Sequence, residues 1–530
     1  MDAPLIAPGK PASLNSSQAA SRLGAPAAAT LLIVAYATIT SLLLPVNVDV
    51  SWLLTVGDRV LNGERLYVDI AEANPPFSTW LYLPFLVMER LTGLAAELWL
   101  SVGLAALAVA SIWFSARILI QADESLKRYA WLAPVAVFCV LFLLPLDFGQ
   151  REQISVIALL PWLALFSVRD HRVDFHAGSA AERIVAGAGA AVFVMIKPPY
   201  SVLALAVPAL VVALQRRSLR PLWTTENIVG GILTVIYLTV VAVFMRPFFT
   251  DVLPLLRQVY LPMRAPVVDM LTLWPIEAFL AMAATTLAMA RPDRIHRDAK
   301  ILLLAGTAYV PAFLMMGKGW TYQALPFLTF GALAFLLQFV RRPPWRDLTI
   351  LARTGTALGL LLLILIALQG QVSALLQPRG DLDAATAAIA IAVDRPTVMS
   401  IGSRLQVGNP LVRAVGGRLV GRHPSAWMVR DSGLLIEAGR DPVTRKELQA
   451  LRDTYILDIA KEVTTKRPDI VLDDGTAVPS APVLLKIADN PPPPRPLRDN
   501  PAVADALRGY RLLLQNGSVT VLIRADTAAR

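Results

Sequence analysis

Between Ala27 and Leu368 the chain returns repeatedly to apolar runs of the length a helix needs to cross about 30 Å of hydrocarbon, roughly 17 to 25 residues. Inside a bilayer there is no water to satisfy backbone N–H and C=O groups, so runs this long are compatible with spanning helices and little else. They lie at 27–46, 98–120, 130–146, 153–168, 184–197, 200–215, 227–246, 270–290, 300–316, 323–340 and 350–369. Two of them, 184–197 and 200–215, are short and meet at Pro198-Pro199. A further run, 77–94, is broken near its end by Glu89 and Arg90. The composition agrees: 55% hydrophobic and 17% charged residues, with a mean hydropathy of +0.56, do not suit a water-facing surface. The single Cys139 sits in an apolar run and excludes a disulfide scaffold.

The positive surplus, a net charge of +10, is read in a membrane chain as an orientation signal rather than a nucleic-acid surface. Basic loops follow every second span: Arg117–Arg128, Arg169–Arg183, Arg216–Arg220, Arg291–Lys300 and Arg341–Arg346. The Ala-, Ser- and Pro-rich tail 1–26 reads as disordered and joins them through Lys10 and Arg22, provided that 77–94 is a re-entrant or interfacial helix. The expectation is therefore about eleven crossings over 27–370, a cytoplasmic N-terminus, a long first outer loop at 47–77, and an outer domain over 371–530. The setting expected is a bacterial inner membrane, with the C-terminal domain periplasmic or extracellular.

On this topology the polar clusters that interrupt the apolar runs share one face, where ionisable groups are costly and tend to be functional. The first outer loop carries Asp49 close behind the first span. Asp49 is equally suited to capping an amphipathic surface helix whose apolar side is Trp52, Leu53, Val56, Val60 and Leu61. The loop returns through Glu72, Asn74, Pro75 and Pro76. Asp147, Gln150, Arg151, Glu152 and Gln153 fill a junction with almost no loop, where a solvated turn with local pairing is the plainer alternative. Lys197 follows an apolar run, and Lys318 lies between two glycines in GKGWTYQ beside Tyr322 and Gln323. Either lysine could instead snorkel to the interface. Arg151, Lys197 and Lys318 are the candidates to hold a phosphate, the arginine by paired donors and the lysines as point charges. Glu152, Asn74, Tyr322 and Gln323 are candidate substrate contacts. Carboxylates that accept a proton, beside cations that stabilise a leaving phosphate, suit sugar transfer from a polyprenyl phosphate.

This order of features resembles the GT-C class of membrane glycosyltransferases, particularly the branch of protein O-mannosyltransferases and the aminoarabinose transferase of lipid A. The match covers about 27–370: an acid just after the first span (Asp49), a long outer loop closing on Glu72-Ala73-Asn74-Pro75-Pro76, many further spans and an outer C-terminal domain. The resemblance implies that Asp49 is the catalytic base, that Glu72 shapes the same site and that Asp147 is the second acid of the family. In another register of the loop, Asp58 or Asp69 would take the place of Asp49. Where the family carries a basic residue beside the Pro-Pro step this chain has Asn74, which leaves the donor phosphate to Arg151, Lys197 or Lys318. The implied partners are a polyprenyl-phosphate sugar, an envelope glycan, lipid or protein acceptor, and membrane lipids, with no nucleic acid. The residues demand no metal or other cofactor, although the carboxylates could hold a divalent ion.

From about Gln371 short strands alternate with polar helices, which predicts a small α/β domain: TVMSI, a helix over Thr444–Val463, DIVLD, and a hairpin of YRLLL and VTVLI around Asn516-Gly517 with a type I′ turn. The proline run Asn490–Pro496 reads as an extended connector. The fold expected for the whole chain is thus a polytopic α-helical membrane protein of GT-C type with a small C-terminal α/β domain. A transporter or lipid flippase would also place charges in spans, but it favours repeated halves and midplane sites, and no internal repeat is present.

Overall fold

The structure, a computed structural model, describes residues 16–44, 46–171, 178–198, 200–290, 295–342, 348–376, 380–438, 441–474 and 496–527. Helix α1 (Ser16–Leu43) leads into α2 (Val48–Leu61), α3 (Phe77–Trp80) and α4 (Leu83–Thr92). The helical bundle continues with α5 (Ala96–Ala122), α6 (Leu132–Phe142), α7 (Arg151–His171), α8 (Ala180–Ile196) and α9 (Val202–Gln215). It is completed by α10 (Thr225–Phe244), α11 (Trp274–Met289), α12 (Arg297–Met316), α13 (Leu325–Arg341) and α14 (Ile350–Leu375). Each expected apolar run is a helix. Among the described residues seven of them, α1, α5, α7, α10, α12, α13 and α14, are long and apolar enough to cross a membrane; α6, α9 and α11 are shorter apolar helices. Helix α1 starts before Ala27, so residues 16–26 of the expected disordered tail are helical, while residues 1–15 lie outside the described residues.

Burial sorts these helices into layers. The protein covers 94% of the apolar stretch of α7 and 83% of that leading through α13, against 11% for α1 and 17% for α10. Helices α7 and α13 are therefore central, and α1 and α10 present Leu31, Leu32, Ile232 and Val235 outward on a lipid-type surface. Close approach in the bundle is set by the small residues of α8. A Cβ on Gly189 would lie 1.9 Å from the carbonyl oxygen of Ala158 on α7, and one on Gly187 would lie 2.5 Å from that of Glu226 on α10. Without a hydrophobic drive between helices in lipid, this backbone proximity is a main source of their association.

The run 77–94 folds as α3 and α4, of 4 and 10 residues. At 1.5 Å per residue the longer reaches about 15 Å, half the hydrocarbon thickness. Between them Tyr82 is fully buried and its hydroxyl donates to the carbonyl of Gly149 at 2.8 Å.

The C-terminal region forms a five-stranded sheet in the order β2-β1-β3-β5-β4, with β1 Thr397–Ser400, β2 Arg418–Leu419, β3 Ile470–Asp473, β4 Tyr510–Asn516 and β5 Val519–Arg524. The first three are parallel, and β5 and β4 close the sheet as an antiparallel hairpin. The side-chain period of two sends Ile470 and Leu472 to one face and Val471 to the other. Helix α15 (Gly380–Ala392) covers the first face, and α17 (Pro442–Lys466), following α16 (Trp427–Glu437), covers the second. The expected hairpin is present with a different turn. Asn516 pairs with Val519 as a strand residue, and of the two loop residues only Gly517 has a positive φ, +52°, so this is not the I′ turn with both residues left-handed. Most of the proline run 490–496 lies outside the described residues.

The amphipathic helix expected along the membrane surface is α2, but its apolar side faces protein instead. Trp52 and Val56 join Ala385, Ile389, Val398 and Leu472 in one core, while Leu53 and Leu54 join the core of the bundle. Thr55 donates to Asn409 Oδ1 at 3.0 Å, and Arg59 Nη1 donates to the carbonyl of Gly421 at 2.7 Å. The segment carrying α2 is thus a layer between bundle and sheet, and it completes the cover on the sheet's first face.

Candidate active site

The layer formed by α2 fixes Asp49. Asn47 caps the helix by accepting from the Asp49 N–H at 3.0 Å, which places the Asp49 carboxylate in the first turn, where the helix dipole favours negative charge. Gln150 Nε2 donates to Asn47 Oδ1 at 2.7 Å and reaches Asp49 Oδ2 at 3.3 Å, so the start of α2 is tied to the start of α7. Asn47 Nδ2 in turn donates to the carbonyl of Leu146 at 3.1 Å and meets Asp147 Oδ1 at 3.4 Å.

Asp147 is buried in the short turn before α7, where Thr321 donates to its Oδ2 at 2.7 Å. Burial raises its carboxyl from the ordinary 3.8 to about 7; the Thr321 hydrogen bond opposes that rise, and the charges of Glu152 and Asp49 reinforce it. Glu72 is also buried and pushed upward by burial, against bonds from the Asn74 N–H and amide, each 2.6 Å, and from the Trp52 indole N–H. Asn74 therefore orients Glu72, and its own carbonyl accepts from Tyr67 at 2.6 Å.

Arg151 and Glu152 occupy the first turn of α7 and are 3% and 1% exposed. Glu152 is ion-paired with Lys197, whose ammonium also lies 5.4 Å from the ring centre of Tyr322. Arg151 makes no ion pair among the described residues: Nε and Nη1 are buried with no hydrogen-bond partner, although Asp49, Glu152, Tyr82 and Tyr322 are within electrostatic reach. A buried guanidinium with idle donors is costly unless an anion completes it. Gln323, also buried, has an idle Oε1.

Lys318 belongs to a neighbouring group. Its ammonium donates to the carbonyls of Tyr260 and Met263, each at 2.9 Å, and lies 4.0 Å from the centre of the Tyr260 ring. Burial lowers it to about 8, with Asp431 of α16 acting in the opposite sense. It thus pins the segment 256–263, which packs against α16 through Val259, Met263, Met428 and Leu435. Tyr260 joins the two groups: burial, and then the charge of Asp49, push its phenol up. Asp49, Glu72, Asp147, Arg151, Glu152, Lys197, Tyr322 and the Asn74 that holds Glu72 thus form one constellation at the end of the bundle covered by the sheet domain, with Gln323 in the adjoining turn and Lys318 beside it. Asp58 and Asp69 pair elsewhere, with Arg90 at 2.9 Å and Arg65 at 3.1 Å. Sequence reading missed Tyr82, Tyr260 and Thr321. Each is a lone polar residue in an otherwise unexceptional stretch, and only the three-dimensional arrangement singles it out. Among the described residues no group of three or more His, Cys, Asp and Glu is placed to hold a metal ion.

The chain superposes on ArnT from Cupriavidus metallidurans bound to undecaprenyl phosphate over 94% of its length and 98% of that chain, with a TM-score of 0.54 and 14% identity. The fold is of the GT-C type. Apo ArnT from the same organism gives a TM-score of 0.48 at 13% identity, covering 93% of this chain and 97% of that one. The archaeal oligosaccharyltransferase AglB from Archaeoglobus fulgidus, in complex with an inhibitory peptide and a dolichol-phosphate, gives 0.44 at 13% identity, covering 91% and 72%. No family profile and no curated protein matches the sequence.

Proposed function

We propose that this protein is a membrane glycosyltransferase that moves a sugar from a polyprenyl phosphate to an envelope glycan, lipid or protein at the outer face of a bacterial inner membrane. The observation that carries the reading is Arg151, buried with open donors beside Asp49. ArnT, whose fold this chain shares, has been seen with undecaprenyl phosphate bound, which supports a lipid phosphate as donor. In the reaction an acceptor hydroxyl oxygen attacks the anomeric carbon and the bond from that carbon to the phosphate oxygen breaks. The hydroxyl proton passes to the Asp49 carboxylate. The polyprenyl phosphate departs with the bonding pair, and Arg151 stabilises the charge that develops, with Lys197 in support. Asp147, largely protonated below pH 7, holds the Asn47 and Thr321 side chains without adding a competing negative charge.

Glu152 neutralises Lys197, and Lys318 is committed to two carbonyls, which leaves Arg151 as the principal phosphate ligand. The gathering of charges at one end of the bundle does not favour the transporter reading, which requires a site near the midplane. The test is transfer from a lipid-linked sugar in membranes, together with mass spectrometry of envelope glycans from cells with and without the protein. Asp49→Asn is expected to lower transfer by about 10²–10⁴-fold, the usual contribution of a general base. Undiminished transfer removes Asp49 from the mechanism. Orientation is tested by a Cys139→Ala, Arg508→Cys variant, whose new thiol stands on the exposed rim of the sheet domain. Labelling from outside the cell membrane is expected, and labelling only from the cytoplasm would reverse the topology.

A further inference from the structure

A large cavity away from these residues has no part in this chemistry. It measures about 1120 Å³ and is walled by apolar side chains of α5, α6, α7, α12 and α13, among them Ile112, Leu160, Leu302 and Leu333. Along α7 its walls run from Leu160 to Ser167, which is roughly 14–24 Å along the axis from Arg151. It therefore lies toward the end of the bundle opposite the candidate active site. It is a cleft partly open at the bundle surface, and its apolar walls offer water few polar partners. Within a bilayer the available filler is a hydrocarbon chain.

The rim specifies which lipid supplies it. The link between α5 and α6 brings Lys127, Arg128, Tyr129 and Trp131 to the mouth. Among the described residues Lys127 pairs with the exposed Glu124, a solvated contact of little energetic weight. Arg128 donates from Nε to the carbonyl of Ser125 and lies over the Tyr129 ring. Trp131 is 56% exposed, as an aromatic at the headgroup level would be. The one acid in the lining, Asp298, is taken by Arg341. Ser115 adds a wall hydroxyl with no hydrogen-bond partner. Basic pockets between spanning helices are places where anionic lipid headgroups bind.

The geometry points to a second lipid site: an anionic phospholipid of the leaflet opposite the active site inserts a chain between α5, α6 and α7 and sets its phosphate on Lys127 and Arg128. The site is distinct from that of the proposed donor and binds a structural or regulatory lipid rather than a substrate.

The full-length protein in nanodiscs of mixed phosphatidylglycerol and phosphatidylcholine, followed by native mass spectrometry of the released complex, tests this. The wild type is expected to retain phosphatidylglycerol at least fivefold over phosphatidylcholine. Lys127→Ala/Arg128→Ala is expected to lose that preference, and Ala116→Trp, which fills the cavity from its wall, to lose the retained lipid whatever its headgroup. Equal retention by the wild type and the double variant, absence of headgroup preference, or a wild type that retains polyprenyl phosphate here instead would each overturn the proposal. Should Ala116→Trp fail to fold, the double variant decides alone, since Lys127 and Arg128 are surface residues and glycosyl transfer by that variant reports an intact bundle.

Discussion

Helix α7 carries a buried arginine at each end, and the two have opposite fates. Arg169 is 2% exposed, ion-paired with the fully buried Glu226, and donates from Nη2 to its Oε2 at 3.0 Å. Nε and Nη1 lack a hydrogen-bond partner in both arginines, but Arg151, 3% exposed, has in addition no ion pair and no side-chain hydrogen bond among the described residues. Residue type, helix and burial are shared, so the difference lies in the partner. At one end α10 supplies a carboxylate and the charge is consumed in joining helices. At the other the carboxylate next to it in the chain, Glu152, is ion-paired with Lys197, and the guanidinium is left without an ion pair among the described residues. Burial alone therefore does not separate the two charges, whereas the presence of a committed partner does.

The comparison can be broken by exchanging the roles. Arg169→Ala leaves Glu226 buried and unpaired and is expected to cost about 3–5 kcal/mol of stability, read as a lowered midpoint of thermal unfolding in detergent, with transfer per folded molecule unchanged. Arg151→Ala is expected to lower transfer by about 10²–10³-fold, the range seen when one donor to a developing anion is removed, while thermal stability falls less than for Arg169→Ala because no ion pair of Arg151 is broken. If Arg151→Ala unfolds the protein and leaves specific activity intact, the two arginines are alike and the contrast fails. A sharper test is Arg169→Leu with Glu226→Leu. Replacing both members of a buried pair by apolar groups is expected to be nearly neutral, so a large loss would assign that pair a role beyond joining helices.

Asp147 offers the smallest effect. Its carboxyl rises from 3.8 to about 7, so between those values the native state holds a proton that the unfolded chain has released. The stability this proton represents is complete below about pH 4 and is lost as the pH climbs through 7. Asp147→Asn keeps an oxygen acceptor for Thr321 and removes the titration. The unfolding midpoint of the variant should gain on that of the wild type as pH rises from 4 to 8, and a constant gap would show that Asp147 does not titrate in that window.

Much of this arrangement was legible in the chain because hydrocarbon is an unforgiving solvent. Apolar runs near twenty residues long have few alternatives to helix, and each run read from the sequence is a helix here. The polar breaks at Asp147–Gln153 and at Lys197 stood out for the same reason, since charge at membrane depth needs a cause. What could not be read is who pairs with whom. Nothing local to Lys197 names Glu152, and nothing local to Lys318 says that it will hold the carbonyls of Tyr260 and Met263. Those choices depend on distances that only packing sets. The surface-helix reading of α2 failed in the same way. Its periodicity showed that one side would be covered, but a lipid headgroup layer and a protein sheet make the same demand on Trp52 and Val56.

That position of α2 has a consequence for how the protein is made. Thr55 and its partner Asn409 are 354 residues apart. At synthesis rates of about 5–20 residues per second, roughly 20–70 s pass between the emergence of one and of the other. Throughout that interval Trp52 and Val56 stand uncovered beside the membrane. Biogenesis must tolerate a sticky half-built intermediate, so cells short of chaperones, or chains truncated before β3, should lose this protein to proteolysis even though every spanning helix has been inserted.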